Sequence, residues 1–258
     1  MAVIPQSPIG DAPSDHLVFT LHATIGSFGA LAVGERRGGF ERPAKSAVLG
    51  LVAAALGLER DDEDAQIALT TDFGLGLAAV ETGRILIDYH TIQMPPQRRN
   101  RRFATRREEL ATDDLATVLS RREYRSGPCW IVVLWPWNES RWPLAALAAA
   151  LQRPHFTLYL GRKSCPLALP VSARVVSAHG PADALAKYNA TQPTAVAALL
   201  AHIKLDRPPS RMALEEAAIG TQSPLRIERR RDALVSRKRW QFDLRSEHIV
   251  ALNDKAPS

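Results

Sequence analysis

The residues best able to do chemistry in this chain are cations, and they come in short runs beside glycines. Gly34 to Ser46 reads GERRGGFERPAKS, so Arg36, Arg37, Arg42, Lys45 and Ser46 precede an apolar run broken by Gly50 and Gly57. Leu160 to Pro166 reads LGRKSCP, with Arg162, Lys163 and Ser164 just after a glycine at the end of a β-like segment. Guanidinium, ammonium and hydroxyl groups are phosphate donors, and glycine lets the backbone beside them approach closely. In the first run Pro43 suits an opening helical turn, whose free N–H groups and dipole favour an anion. The competing reading is a solvated loop that carries charge for solubility.

A third stretch, from Gln97 to Gly127, holds arginine pairs at 98–99, 101–102, 106–107 and 121–122. Arg99, Arg102, Arg106 and Arg107 surround Phe103, the mixture of cation and aromatic that single-strand binders use. Upstream stands Asp88-Tyr89-His90. Tyrosine stacks on bases and histidine donates to phosphate. Neighbours in a regular strand point to opposite faces, so Tyr89 and His90 cannot serve one site together. A further cluster (Arg226, Arg229, Arg230, Arg231, Arg237, Lys238, Arg239) reads equally as nucleic-acid contact or as solvated surface. Trp130, Trp135, Trp137 and Trp142 lie on or beside an apolar run and read as core.

Catalytic signatures are missing: there is no G-x-S-x-G, no H-E-x-x-H and no Walker A sequence. The histidines show no metal-ligand spacing, and the two cysteines, Cys129 and Cys165, form no C-x-x-C. Neither catalytic nor metal residues nor a cofactor are expected, and a reducing compartment is. The chain has 258 residues, 46% apolar and 23% charged, with a net charge of +6. Clustered positive charge points to an anionic partner, nucleic acid before membrane. No stretch approaches the ~20 apolar residues of a membrane span.

These residues need elements to position them. His16 to Ala23 alternates as a strand, and Pro43 to Leu58 has helical periodicity, with Gly50 allowing a close helix–sheet contact. Strand signals follow at Gln66–Leu77, Ile85–Ile92, Trp130–Trp137 and Phe156–Leu160, with a helix at Pro143–Leu151. With the arginine-rich segment set aside as an insertion, the order is strand, helix, strand, strand, helix, strand. That predicts an α+β fold, a ferredoxin-like (RRM-like) βαββαβ domain. An α/β fold with a parallel sheet is the alternative. After Pro170 come a strand-like VSARVV, helices at Pro181–Tyr188, Thr194–Ile203 and Met212–Ile219, and a charged stretch ending in RWQFDL. The expected organisation is a flexible leader at 1–14, a main domain at 15–170 and a small C-terminal domain at 171–258. Within the main domain, a projecting thumb hairpin occupies about 93–126.

Three stretches, FERPAKSAVLGLVAAALGLERDD, DYHTIQ and PHFTLYLGRKSCPLALP, together resemble the fifth CRISPR-associated (Cas) protein family in its subtype I-E form. The resemblance covers about residues 16–170 and is weak beyond. It implies a non-catalytic subunit of the Cascade antiviral surveillance complex, a cytoplasmic ribonucleoprotein of prokaryotes. Such a subunit caps the 5′ handle of the CRISPR RNA (crRNA). It contacts the adjacent backbone subunit and the large PAM-reading subunit, with target DNA near the PAM-proximal end a further partner. The family's basic-serine motif maps to Lys45 and Ser46, its basic pair to Arg162 and Lys163, and its DYHT motif to Asp88–Thr91. Subtype I-C relatives cut repeat RNA with a Tyr–Lys–His set. Here Tyr89 and His90 are adjacent and no lysine accompanies them, which argues against cleavage; the alternative function is a metal-independent endoribonuclease acting through His90.

Overall fold

The computed structural model describes residues 12–29, 32, 34–96, 102–137, 139–215, 218–219 and 223–252. Its elements in chain order begin with β1 (Ser14–His22), β2 (Ile25–Gly26), β3 (Arg36–Arg37), α1 (Lys45–Leu56) and α2 (Glu63–Asp72). Then come β4 (Phe73–Glu81), β5 (Arg84–Met94), α3 (Arg106–Leu110), β6 (Ala116–Ser126), β7 (Cys129–Pro136) and α4 (Leu144–Gln152). Last are β8 (Arg174–Ala178), α5 (Pro181–Ala190), α6 (Thr194–His202), β9 (Arg211–Leu214), β10 (Arg226–Ser236) and β11 (Gln241–Ala251).

A seven-stranded sheet in the order β10-β11-β9-β4-β7-β1-β8 carries the core. Every pairing in it is antiparallel, which excludes the parallel-sheet alternative. β7 is apolar at nearly every position because both its faces are covered. On one face Leu17, Phe19, Leu21, Leu75, Leu77, Val132 and Leu134 pack with the apolar sides of α1 and α4. On the other, Val18, Ile131, Val133, Trp135 and Trp137 pack with Leu185 and Tyr188 of α5. Each large side chain buried this way contributes about 1.5–3 kcal/mol. The buried Tyr188 hydroxyl is 3.0 Å from Thr20 Oγ1 and donates to the Ser172 carbonyl, so its polar tip is satisfied. Trp130, Trp135 and Trp137 are buried and Trp142 is half-buried against the core, as expected of them. None of the described helices is long and apolar enough to cross a membrane.

A smaller sheet is built on β6. β5 pairs with it along its whole length, without a register shift, and β2 and β3 pair with it at two further places. β5 and β6 with α3 between them form an arginine-rich hairpin. It begins at Arg84, not at residue 93, so the DYHT strand belongs to the hairpin and not to the main sheet.

Several other expectations are corrected. Residues 63–72 form a helix where a strand was expected: Asp62 caps it by accepting from Ala65 N at 3.1 Å, and Glu63 and Asp64 favour its positive end. Phe156–Leu160 is not a strand. Its amides bond elsewhere, Phe156 N to Ala54 O and Leu160 N to Cys165 O, and the place beside β1 is taken by β8. The segment Arg211–Leu214 is a short strand between β4 and β11, not a helix; Met212, Ala213 and Leu214 are all buried. The chain after 170 makes no separate sheet. It adds β8 at one edge of the main sheet and β9, β10 and β11 at the other. Gly50 meets the Arg237 side chain rather than the sheet. Of the expected leader, residues 1–11 lie outside the described residues, and β1 begins at Ser14.

Candidate nucleic-acid interface

The hairpin sorts its cations by register. Directly paired residues share a face of a sheet, and successive residues alternate. Arg37 pairs with Arg122, which pairs with Asp88. His90, Ser120 and Tyr124 lie two positions away along the same strands and share that face, as the 3.2 Å bond from Arg122 Nε to Ser120 Oγ requires. Arg36, Arg121 and Tyr89 form the next row, on the opposite face. The adjacent pairs Arg36-Arg37, Arg121-Arg122 and Tyr89-His90 are therefore each split between two surfaces.

The Arg162 loop closes on the first of these faces. The Arg162 guanidinium lies 4.6 Å from the centre of the Tyr124 ring, a cation–π contact. Its Nη1 is buried and has no hydrogen-bond partner among the described residues. Lys163 and Ser164 beside it are exposed. Gly161 makes this geometry possible: its φ is +93°, and a Cβ there would sit 1.7 Å from the Ser27 carbonyl oxygen. The loop is thus pressed against residues 26–27, with Ser27 N donating to Leu160 O at 3.0 Å. Arg37, His90, Arg122 and Arg162 consequently border one face, with the exposed Lys163 and Ser164 following Arg162 in the chain. His90 Nδ1 lies 2.8 Å from Asp88 Oδ1.

The other half of the first basic run goes inward. Arg42 is 6% and Lys45 5% exposed. Arg42 donates to both Glu228 and Glu247, with its Nε 2.7 Å from Glu247 Oε2. Lys45 Nζ lies 2.8 Å from Glu215 Oε1. An anion does occupy the N-terminus of α1, but it belongs to the protein: Asp232 Oδ2 accepts from Lys45 N at 2.8 Å. Arg245 bonds Asp232 and Glu247, and Arg230 bonds the Arg42 and Pro43 carbonyls while stacking on Phe40. Burial opposes the charge of Arg42, yet Glu247 and Glu228 outweigh it and hold its pKa above the ordinary value. For Arg230 burial prevails and its pKa is lowered. Burial acts to raise the Glu228 pKa, but the Arg42 hydrogen bond and charge bring it below the usual glutamate value. The expectation that Arg42 and Lys45 face a phosphate is corrected, because long-range carboxylates neutralise both. Ser46 is half-buried in the first turn of α1.

The remaining expected residues are scattered. Arg99 lies outside the described residues. Arg102 and Arg107 are exposed. Arg106 pairs with Glu109 and donates to the Gln93 carbonyl at 2.7 Å, pinning α3 to β5. Arg122 and Tyr124 are additions to the site, and Arg121 falls on the opposite face. Their signal was the β-formers in TVLSRREYRS, which make that segment a strand whose pairing puts its arginines beside Arg36 and Arg37. Cys129 is buried, and desolvation pushes its thiol up to about 12, so it is inert. Among the described residues no group of His, Cys, Asp or Glu is placed to hold a metal ion.

The chain is thus an α+β protein with an antiparallel main sheet and a cationic hairpin carried on a second, smaller sheet. Residues 16–246 match the family model described as CRISPR-associated protein (Cas_Cas5), and the chain belongs to that family. It is 30% identical over 156 residues to the CRISPR system Cascade subunit CasD of Escherichia coli (strain K12), a match covering 57% of this chain and 64% of CasD. A solved structure titled "CRISPR RNA-guided surveillance complex" contains a chain that superposes with a TM-score of 0.59 at 20% identity, covering 92% of this chain and 89% of that one. Another, "Crystal structure of Cas protein", gives 0.54 at 22% identity, covering 92% and 94%. At these identities the two structures share the fold.

Proposed function

We propose that this chain is the non-catalytic crRNA-binding subunit of a type I-E Cascade complex, capping the 5′ handle of the crRNA in the prokaryotic cytoplasm. Family membership supports the setting, and one observation carries the role. A single face gathers Arg37, His90 and Arg122 from the hairpin with Arg162 from a loop distant in sequence, whose next residues are the exposed Lys163 and Ser164. Such a surface positions a phosphate backbone, and the Arg162–Tyr124 stack offers a planar platform for a splayed base. We read β4-β7-β1-β8 as the ferredoxin-like βαββαβ sheet: in chain order its strands lie second, third, first, fourth. The β5–β6 hairpin is then the thumb, inserted between the second and third strands. The neighbouring backbone and large PAM-reading subunits are the expected protein partners. Exposed Ile85, Leu86, Ile87, Ile92 and Met94 on β5 give them an apolar strand to cover.

The test is binding of labelled handle RNA across a salt series. Replacing Arg122 and Arg162 with alanine should weaken binding and lower the salt slope by about one per lost phosphate contact. Unchanged affinity and slope refute the site. A second reading rests on the His90–Asp88 pair, which has the geometry of an oriented general base for RNA cleavage. Incubating the protein with labelled repeat RNA separates the two: cleavage that disappears in His90→Ala establishes the endoribonuclease.

A further inference from the structure

We propose that the tip of the C-terminal hairpin is a protein-docking site, in which Trp240, Arg60 and Arg237 receive a carboxylate-bearing segment of a partner protein. None of these residues belongs to the RNA face, and the inference does not rest on that assignment.

The tip is the turn Arg237-Lys238-Arg239-Trp240 between β10 and β11. Trp240 N donates to Arg237 O at 3.3 Å, and Arg239 N to Ser236 Oγ at 3.1 Å. Glu63 of α2 takes Lys238 N at 2.8 Å and ties the turn to the body of the protein. Trp240 closes the turn at a φ of +56°, in the left-handed region where glycine is the ordinary choice. A bulky side chain held there is strained, and strain of this kind collects at binding sites. Trp240 is nevertheless 56% exposed, so burial in the free chain does not account for its presence.

The ring is surrounded by cations that lack an anion. Arg60 Cζ stands 5.0 Å and Arg237 Cζ 4.5 Å from its centre, and Phe242 packs edge-on with centroids 5.6 Å apart. A guanidinium stacked on an aromatic ring keeps its N–H edges free to grip a carboxylate through two parallel bonds. Neither arginine forms an ion pair among the described residues, and Arg237 Nε is buried without a hydrogen-bond partner. Arg237 lies against α1 at Gly50, where a Cβ would come 3.4 Å from its Nη2. Burial lowers the pKa of Arg237 and the charge of Arg60 lowers it further, against a smaller opposing effect of Tyr159. A half-buried cation beside a second cation is stabilised by an incoming anion. Two acids close to Arg60 in sequence are committed elsewhere: Asp62 caps α2 and Glu63 holds the turn.

A protein fits this site better than a nucleic acid. Arginines already stand over the ring, where a base would have to stack. Asp61 and Asp64, exposed and just after Arg60 in the chain, repel a phosphate backbone. Tryptophan and arginine are the residues that most often anchor protein interfaces, and a turn already fixed in the free chain loses little freedom on docking. An acidic segment with an apolar side chain beside its carboxylate meets both the arginines and the exposed part of Trp240.

The test measures binding of a fluorescent peptide rich in glutamate and leucine to the full chain, with its glutamine counterpart and a DNA duplex as further probes. The parent should bind the glutamate peptide about tenfold more tightly than the glutamine one. Trp240→Gly and Arg237→Gln should each lose about tenfold in affinity for the glutamate peptide. Trp240→Gly should melt no lower than the parent, because glycine relieves the positive φ. Both variants should bind handle RNA as the parent does, and Arg122→Ala should bind the peptide as the parent does. Parent-like peptide binding by either variant overturns the site, as does a parent that does not prefer glutamate to glutamine. A clear fall in the melting temperature of Trp240→Gly makes the tryptophan a structural residue and overturns its role. If the two variants lose affinity for the duplex instead of the peptide, the site takes nucleic acid and the protein reading is overturned. If Arg122→Ala binds handle RNA normally, the handle assignment falls while the peptide result still decides this site.

Discussion

Replacing Glu247 with alanine is the sharpest test of how this fold is held together. Its side chain is 2% exposed on β11, and both carboxylate oxygens are engaged. Oε2 takes Arg42 Nε at 2.7 Å, Oε1 takes Arg245 Nη2 at 3.0 Å, and Arg230 Nη1 stands 3.7 Å away. Removing the carboxylate leaves these guanidiniums facing one another, with the side chain of Arg42 7% and that of Arg230 3% exposed. Breaking a buried pair by deleting one partner costs about 3–5 kcal/mol, well above the ~1 kcal/mol of a surface pair. Asp232 and Glu228 still neutralise part of the cluster, so we expect about 3 kcal/mol. For a chain of this size that lowers the melting temperature by roughly 6–12 °C. Urea and thermal unfolding followed by circular dichroism measure it directly. The loss should persist in concentrated salt, because buried charges are poorly screened. Glu247→Gln should fall between parent and alanine. A loss below about 1 kcal/mol, or one that vanishes in salt, refutes a buried network. Arg42→Met should likewise destabilise while leaving the salt slope of RNA binding unchanged; a shallower slope would return Arg42 to the RNA site.

Gly161→Ala should destabilise the protein by at least 1–3 kcal/mol or so, since its Cβ collides with the Ser27 carbonyl and its φ is left-handed. Handle binding should fall with it, because Arg162, Lys163 and Ser164 are displaced; a parent-like melt and affinity would show that the turn is not held as described. Burial lowers the pKa of His16 despite its hydrogen bond to the Ser14 carbonyl and the opposing charges of Asp15 and Asp183, with Lys187 reinforcing the lowering. The unfolded chain therefore takes up this proton more readily. The stability present above the ordinary histidine value of 6.5 should decline as pH falls from there through the lowered folded value. His16→Gln should flatten that slope between pH 7 and 5 in urea titrations, and an unaltered slope would contradict the assignment.

Much of the fold was legible because its signals are local. The alternating residues of β1, the apolar run of β7 and the proline-led helix α4 stand within about two residues of where pattern and capping put them. The misses were also local in kind. Ile67, Thr70 and Thr71 suggested a strand in α2, although the capping Asp62 and the acids after it were readable. A short apolar run such as Met212–Leu214 fits helix or buried strand equally until its neighbours are known. Phe156–Leu160 has strand-forming residues but finds no free edge beside β1.

The sequence by itself determined that the protein would be basic in clusters, that glycine would let the Arg162 loop approach its neighbour, and that Tyr89 and His90 would point apart. Those properties follow from charge, from the lack of a Cβ and from the two-residue period of a strand. Which arginines are available to a partner was decided only by tertiary structure. Arg36, Arg37 and Arg42 look alike within one loop, yet the first two lie on the hairpin sheet and the third is buried. The difference comes from carboxylates 186 and 205 positions further along the chain, which the C-terminal hairpin brings to Arg42. A buried charge must find its partner before it can be buried, and no local pattern says where that partner will come from.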